Sequence, residues 1–148
     1  MKEIIRSIAL LESLTDQQIA TMEAYTEVVS CKKGEKLFQV GQLAKNIFIL
    51  LEGKVSIQVL LSSRPENMSI VVLQKNGQLV GWSGLMNESH YTATGVCLED
   101  SQLLKINGQK FLQTLEQNPS IGFNVMVEIT KVISQRLRNL QSVVLKTI

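Results

Sequence analysis

The sequence predicts a mainly β domain, a sandwich or barrel of short strands with helices on both sides. Two observations predict this fold class. Within residues 28–107, short β-rich runs such as VVSC and NIFILLEGKVSIQVLL alternate with glycine-containing turns. On either side of this segment, apolar residues recur at helical spacing instead, beginning with Ile4, Ile8 and Leu11.

The flanking segments are predicted to form two helices each. Within residues 1–27, Thr15 and Asp16 mark the start of the second helix, because a threonine there accepts a hydrogen bond from a free backbone amide. Residues 108–148 begin with a helix over 108–115. A longer helix follows over 120–145, which contains one glycine and no proline.

The long last helix carries an apolar stripe. Its members recur at intervals of seven, with alternate positions filled, and they are Met126, Ile133, Leu137, Leu140 and Val144. The segment from Phe123 to Ile129 is expected to pack on the chain's own barrel, whereas the stripe beyond Ile133 is expected to meet a partner helix. The stripe therefore predicts a homodimer through this helix.

Length and composition predict one domain over residues 1–148, because 45% hydrophobic residues can bury one core of ordinary size. No apolar run approaches the roughly 20 residues that cross a bilayer. Charges at Lys2, Glu3 and Arg6 interrupt the apolar centre that a secretory signal needs. We therefore expect a cytoplasmic protein that is not attached to a membrane. The formal charge of +2, without a run of lysine or arginine, argues against direct DNA binding.

The sequence contains no motif for catalysis, metal binding or a disulfide framework. GWSG at 81–84 begins like the nucleophile elbow G-x-S-x-G, but Leu85 stands where the last glycine belongs. The chain has one histidine and no phosphate loop, dinucleotide fingerprint or clustered metal ligands. We expect a binding module that is not an enzyme and requires no cofactor. Cys31 and Cys97 are expected to be buried reduced thiols.

Two segments resemble the cyclic-nucleotide-binding domain superfamily. KKGEKLFQVGQLAKNIFILLEGKV is similar to the family's opening strands, with Gly34, Gly41 and Gly53 where the family turns between strands. GQLVGWSGLMNESHYTATGVCLEDSQLLKINGQKFLQTLEQNP is similar to its phosphate-binding cassette, here about residues 77–95, and to the elements that follow. The resemblance implies a double-stranded β-helix, a jelly-roll-like barrel with N-terminal helices and a long C-terminal helix, as in catabolite activator protein-like sensor domains.

The resemblance also implies a ligand site. In the family, an arginine and the amides of a short helix hold the cyclic phosphate, and a glutamate after a glycine binds the ribose. Gly81 matches that glycine, but Trp82 replaces the glutamate and His90 stands at the place of the arginine. One branch of bacterial regulators, with Gly-Trp-Ser and Tyr-Thr-Ala-Thr, is more similar still. The ligand-binding residues implied are Gly81, Trp82, Ser83, Gly84, Leu85, His90, Tyr91 and Thr92.

Several of these residues allow two interpretations. Trp82 either stacks on a flat ligand or fills the vacated sugar site. His90 either contacts an anion or is a surface histidine. Strand alternation places Tyr91 and Thr92 on opposite faces, so at most one of the two alternating pairs in YTAT is expected to line the pocket.

Two kinds of function remain open. In a regulatory sensor, cyclic AMP, cyclic GMP or a different small molecule would reorder the cassette and a hinge at Asn118, Pro119 and Gly122. In a ligand-free dimeric scaffold, the barrel would bind a partner protein. Related transcription factors carry a helix-turn-helix domain after the long helix, and because the sequence ends at Ile148 we expect none here.

Overall fold

The computed structural model describes residues 1–60, 67–86 and 89–147. Positions 87–88 of the predicted cassette and the last residue of the predicted domain lie outside the described residues. The strands are β1 Thr26–Cys31, β2 Lys36–Phe38, β3 Asn46–Glu52, β4 Val55–Leu60, β5 Asn67–Leu73, β6 Leu79–Val80, β7 Thr94–Cys97 and β8 Ser101–Asn107. The helices are α1 Lys2–Arg6, α2 Asp16–Glu23, α3 Gly108–Gln117 and α4 Pro119–Thr147.

These strands form two four-stranded antiparallel sheets. The strand order is β1-β8-β3-β6 in the first sheet and β2-β7-β4-β5 in the second. The prediction of a mainly β fold with flanking helices is confirmed. A 3₁₀ turn at Ala9–Leu11, which the sequence analysis did not anticipate, separates α1 from α2.

β3 is buried on both faces, which explains its nearly continuous apolar run. Ile47 and Ile49 pack in the core beneath the helices, whereas Phe48 and Leu50 point into the space between the two sheets. Successive side chains of a strand alternate between its faces, so a strand covered on both sides is apolar at successive positions, as at 47–50 between Asn46 and Glu52. β3 thus joins the helical layer to the barrel interior.

The predicted start of α2 is confirmed by a capping box at Thr15. The Gln18 amide donates to Thr15 Oγ1 at 3.2 Å, and the Thr15 amide donates to Gln18 Oε1 at 2.8 Å. These two bonds satisfy amides that a helix start leaves free. α2 is thereby fixed beneath the barrel, where Gln18 also donates to Asn118 Oδ1.

The expectation of reduced cysteines is wrong in this structure. Cys31 at the end of β1 and Cys97 at the end of β7 form a disulfide, with their Cα atoms 6.4 Å apart. Both residues are buried. Because β1 and β7 belong to different sheets, the bond joins the two sheets across a sequence separation of 66 residues. Sequence spacing gave no sign of this proximity, which arises from the fold.

α4 is 29 residues long and follows α3 after a single residue, Asn118. The Asn118 side-chain amide donates to the Thr114 carbonyl at 2.9 Å, and the Gly122 amide donates to the Asn118 carbonyl at 2.9 Å. Neither α4 nor any other helix in the described ranges is long and apolar enough to cross a membrane.

Candidate functional site

The predicted cassette opens with a sharp turn at Gly81, directly after β6. Gly81 has φ +73°, a left-handed conformation that favours glycine. A Cβ atom at this position would also lie 3.3 Å from the Tyr91 ring. The turn leads into a short 3₁₀ helix at Trp82–Leu85, which brings Trp82 and Ser83 to the barrel interior.

A small cavity lies inside the barrel, with α4 as one of its walls. Its volume is about 20 Å³, which is enough for a single water molecule. Most of its surface is apolar. The lining residues are Phe38, Ile57, Val71, Leu73, Leu79, Val80, Gly81, Trp82, Ser83, Tyr91, Thr92, Ala93, Val132 and Arg136. A ligand larger than water therefore needs the walls to move.

Of the predicted ligand-binding residues, five line this cavity: Gly81, Trp82, Ser83, Tyr91 and Thr92.

The other three predicted ligand-binding residues lie outside the cavity lining. Gly84 packs where a Cβ atom would overlap the backbone of Asn46, and Leu85 belongs to the core beneath the helices. His90 is exposed and forms an isolated β-bridge with Leu43. His90 therefore does not line the cavity. The contact of His90 with an anion stays a prediction.

Tyr91 lines the cavity, and its hydroxyl forms a hydrogen bond within the protein. Its ring stacks on Phe38 with the ring centroids 4.3 Å apart, and its hydroxyl donates to the Asn46 carbonyl at 2.7 Å. Burial raises the pKa of the Tyr91 hydroxyl. Tyr91 and Ala93 are buried and Thr92 is exposed, as strand alternation predicts. Thr92 nevertheless lines the cavity together with Tyr91 and Ala93, so the expectation that at most one of the two alternating pairs does so is wrong.

Arg136 of α4 supplies the charge in the cavity wall, and the sequence analysis missed it. Its guanidinium donates to Thr92 Oγ1 at 2.8 Å and to the Thr92 carbonyl at 3.0 Å. Burial lowers the pKa of Arg136. A signal did exist in the sequence: Arg136 follows Val125, Ile129 and Val132 at alternating steps of four and three. That spacing places it on the same face of the helix.

α4 has two adjacent faces with different surroundings. Val125 and Ile129 are buried against the protein's own core, and farther along this face Asn139 donates to the Ile70 carbonyl of β5 at 2.6 Å. The other face is open. Its exposed apolar residues, with the fraction of each that is accessible, are Phe123 69%, Ile133 37%, Leu137 56% and Val144 46%.

The open face includes most of the predicted dimer stripe. Leu140 is half-buried, and Met126 packs partly against the protein's own core. Phe123 was expected to pack on the barrel, and this expectation is wrong because its side chain is 69% exposed. Phe123 precedes Thr130 by seven positions and Leu137 by fourteen, a spacing that places all three on the open face. Dimerisation itself stays a prediction.

Comparison with known proteins finds a family model and relatives that match most of this chain. The family model for the cyclic nucleotide-binding domain matches residues 28–118. The chain is 25% identical over 130 residues to lysophospholipase nte1 of Aspergillus fumigatus, covering 88% of this chain and 8% of that protein. It is 22% identical over 130 residues to the cyclic AMP receptor protein of Thermus thermophilus, covering 87% of this chain and 57% of that protein. The chain thus spans less than two thirds of either relative.

A solved structure shows the same fold. The sensor domain of the transcriptional regulator DNR from Pseudomonas aeruginosa superimposes with a TM-score of 0.74 at 22% sequence identity. The match covers 93% of this chain and 91% of that chain. The predicted jelly-roll-like barrel with a long C-terminal helix is therefore confirmed.

Proposed function

Because the chain belongs to the cyclic nucleotide-binding domain family, we propose that it is a non-enzymatic regulatory module whose cavity senses a small molecule. One observation carries this proposal, the position of α4. Val132 and Arg136 form part of the cavity wall, while Ile133 and Leu137 on the same two turns are exposed. A ligand that displaces the wall must also displace the exposed face, since both belong to one helix.

The second part of the proposal is that the open face of α4 binds α4 of a second copy. Apolar residues at alternating steps of three and four form the seam of paired helices. Residues 123, 126, 130, 133, 137, 140 and 144 follow these steps, and all are apolar except Thr130. A homodimer would bury the exposed parts of this seam, and ligand binding would change its geometry.

Cyclic AMP and cyclic GMP are the first ligands to test, although the cassette departs from the family pattern. Trp82 follows Gly81, and its indole cannot accept a hydrogen bond from a ribose hydroxyl. Among the described lining residues there is no carboxylate that could take that role. Arg136 of α4 is a cation that contacts the cassette, where it donates to Thr92 Oγ1.

The experiment is a titration of the purified protein with each nucleotide, followed by Trp82 fluorescence and by the melting temperature. A ligand that binds the native state raises the melting temperature by mass action. A cavity ligand should give a saturable shift that is lost in Val132→Phe, which fills the cavity. The shift should be kept in Lys131→Phe, because the neighbouring Lys131 is exposed and belongs to neither the cavity lining nor the seam. His90→Ala tests the predicted phosphate contact, and an unchanged affinity in that variant would refute it.

The size of the cavity favours a second function, a ligand-free dimeric scaffold for a partner protein. A volume of about 20 Å³ leaves no room for a nucleotide without rearrangement. If the scaffold is correct, no ligand shifts the melting temperature, and Val132→Phe leaves the dimer unchanged. Loss of a ligand-induced shift in Val132→Phe would instead exclude the scaffold.

A cytoplasmic location stays a prediction, and the disulfide between Cys31 and Cys97 counts against it. Disulfides persist mainly in oxidising compartments, whereas the cytosol keeps thiols reduced. Mass spectrometry of the alkylated protein, taken directly from cells, decides the state of the two cysteines. A free-thiol mass would favour the cytoplasm, and an intact disulfide would favour an oxidising compartment. We propose no direct contact with DNA, because the formal charge is +2 without a basic run.

A further inference from the structure

The described lining of the cavity contains one cation and no anion that compensates its charge. Among the described residues that line it, Arg136 is the single charged side chain. Its guanidinium has five N–H donors, and two of them donate hydrogen bonds to neutral acceptors of Thr92. No acidic side chain in the described parts of the chain forms a salt bridge with it.

A half-buried arginine of this kind favours an anionic guest. Removing a cation from water costs free energy that an opposite charge offsets. A carboxylate would accept two parallel hydrogen bonds from the guanidinium fork, and charge-assisted bonds are stronger than the neutral bonds to Thr92. The end of the cavity at Arg136 is therefore chemically suited to a carboxylate.

The rest of the cavity favours an apolar guest. Ile57, Val71, Leu73 and Val132 are aliphatic, and the Tyr91 hydroxyl already donates to the Asn46 carbonyl. A sugar or base buried here would leave polar atoms without partners, at a cost for each atom. An alkyl or aryl group would bury its surface favourably against the same walls.

We propose that the cavity takes a small amphipathic carboxylate, whose apolar part enters the barrel and whose carboxylate replaces Thr92 at the Arg136 guanidinium. This inference rests on the proposed sensor function and specifies the ligand of the same site. Because Val132 and Arg136 both belong to α4, the guest would enlarge the cavity at the α4 wall. The carboxylate would hold Arg136 while the helix moves.

The test compares acids with neutral amides of nearly the same shape. Octanoate and octanamide form one pair, and 4-phenylbutyrate and 4-phenylbutyramide form the other. Isothermal titration calorimetry with the full chain measures each affinity. Each acid is expected to bind at least about tenfold more tightly than its amide, since hydrogen bonds to charged groups exceed neutral ones by that order.

Two substitutions assign the preference to Arg136. Arg136→Gln should remove the difference between acid and amide, and Arg136→Lys should keep part of it, because lysine retains the charge without the planar fork. Arg138→Gln is the matched control: Arg138 lies on the same helix, outside the cavity lining, and donates to Gln135 Oε1 at 2.8 Å. It should bind like the wild type. Circular dichroism verifies that each variant is folded.

The possible results separate this inference from the proposed function. Equal affinity for acid and amide, an unchanged acid preference in Arg136→Gln, or no saturable binding of either acid overturns the inference. Tighter, competitive binding of cyclic AMP that changes hydrogen exchange in α4 also overturns it, while the sensor function stands. Acid binding that depends on Arg136 but leaves α4 unchanged supports the inference and contradicts the sensor function.

Discussion

Leu137 provides a quantitative test of the proposed dimer. Its side chain is 56% exposed in the single chain and lies in the middle of the open face of α4. Full burial of a leucine side chain is worth about 1.5 to 3 kcal/mol, so burying the exposed part gives about 1 to 1.5 kcal/mol. In a symmetric dimer each contact occurs twice, which makes about 2 to 3 kcal/mol. Leu137→Asp removes this contribution and also places two carboxylates in the seam.

The dimer dissociation constant of Leu137→Asp should therefore rise by about 30-fold to 100-fold or more. Sedimentation velocity over a range of protein concentrations measures this change. Ser142→Asp is the matched control, because Ser142 is exposed on the same helix and lies away from the seam. It adds the same charge and should leave the dimer intact. A wild-type chain that sediments as a monomer, or a Leu137→Asp variant that dimerises normally, would refute the reasoning.

Three further predictions concern stability. Gly84→Ala should lower the free energy of unfolding in urea by about 3 kcal/mol or more, because its Cβ atom would overlap the Asn46 backbone. Gly77→Ala, with nothing near its Cβ atom, should lower it by about 1 kcal/mol from backbone strain. Equal effects of the two substitutions would contradict the packing at Gly84. Reduction of the disulfide between Cys31 and Cys97 should lower the free energy of unfolding by about 4 kcal/mol, because the disulfide closes a loop of 66 residues. A melting temperature unaffected by reductant would show that the disulfide is absent in solution. Because burial raises the pKa of Tyr91 above its ordinary value of 10.0, its contribution to stability is complete below that pH and declines above it. Tyr91→Phe should therefore lose less stability than the wild type when the pH rises above 10.0, and parallel melting curves would contradict the burial of the hydroxyl.

The parts of the fold that depend on local patterns could be predicted from the sequence. Glycine-separated apolar runs predicted the strands, and Thr15 predicted the start of α2. Parts that depend on contacts between distant residues could not be predicted in this way. The disulfide joins residues 66 positions apart, and Arg136 meets Thr92 across 44 positions.

The candidate site shows the same distinction. Gly81 and Trp82 were found because the cassette is continuous in sequence. His90 was assigned by its place in a short motif, but the loop before β7 turns its side chain to the surface. Because a motif does not specify which way a loop residue points, the cation facing the cavity came from α4 and was missed.

The most direct test of the central claim is amide hydrogen exchange of α4 in free and ligand-bound protein. The ligand is the tightest binder among cyclic AMP, cyclic GMP, octanoate and 4-phenylbutyrate, at a saturating concentration. If cavity occupancy is transmitted through α4, exchange should change across residues 132–144, including the exposed face, and not only at Gly81 to Thr92. A change confined to the cassette and barrel strands, with α4 unaltered, would contradict the account.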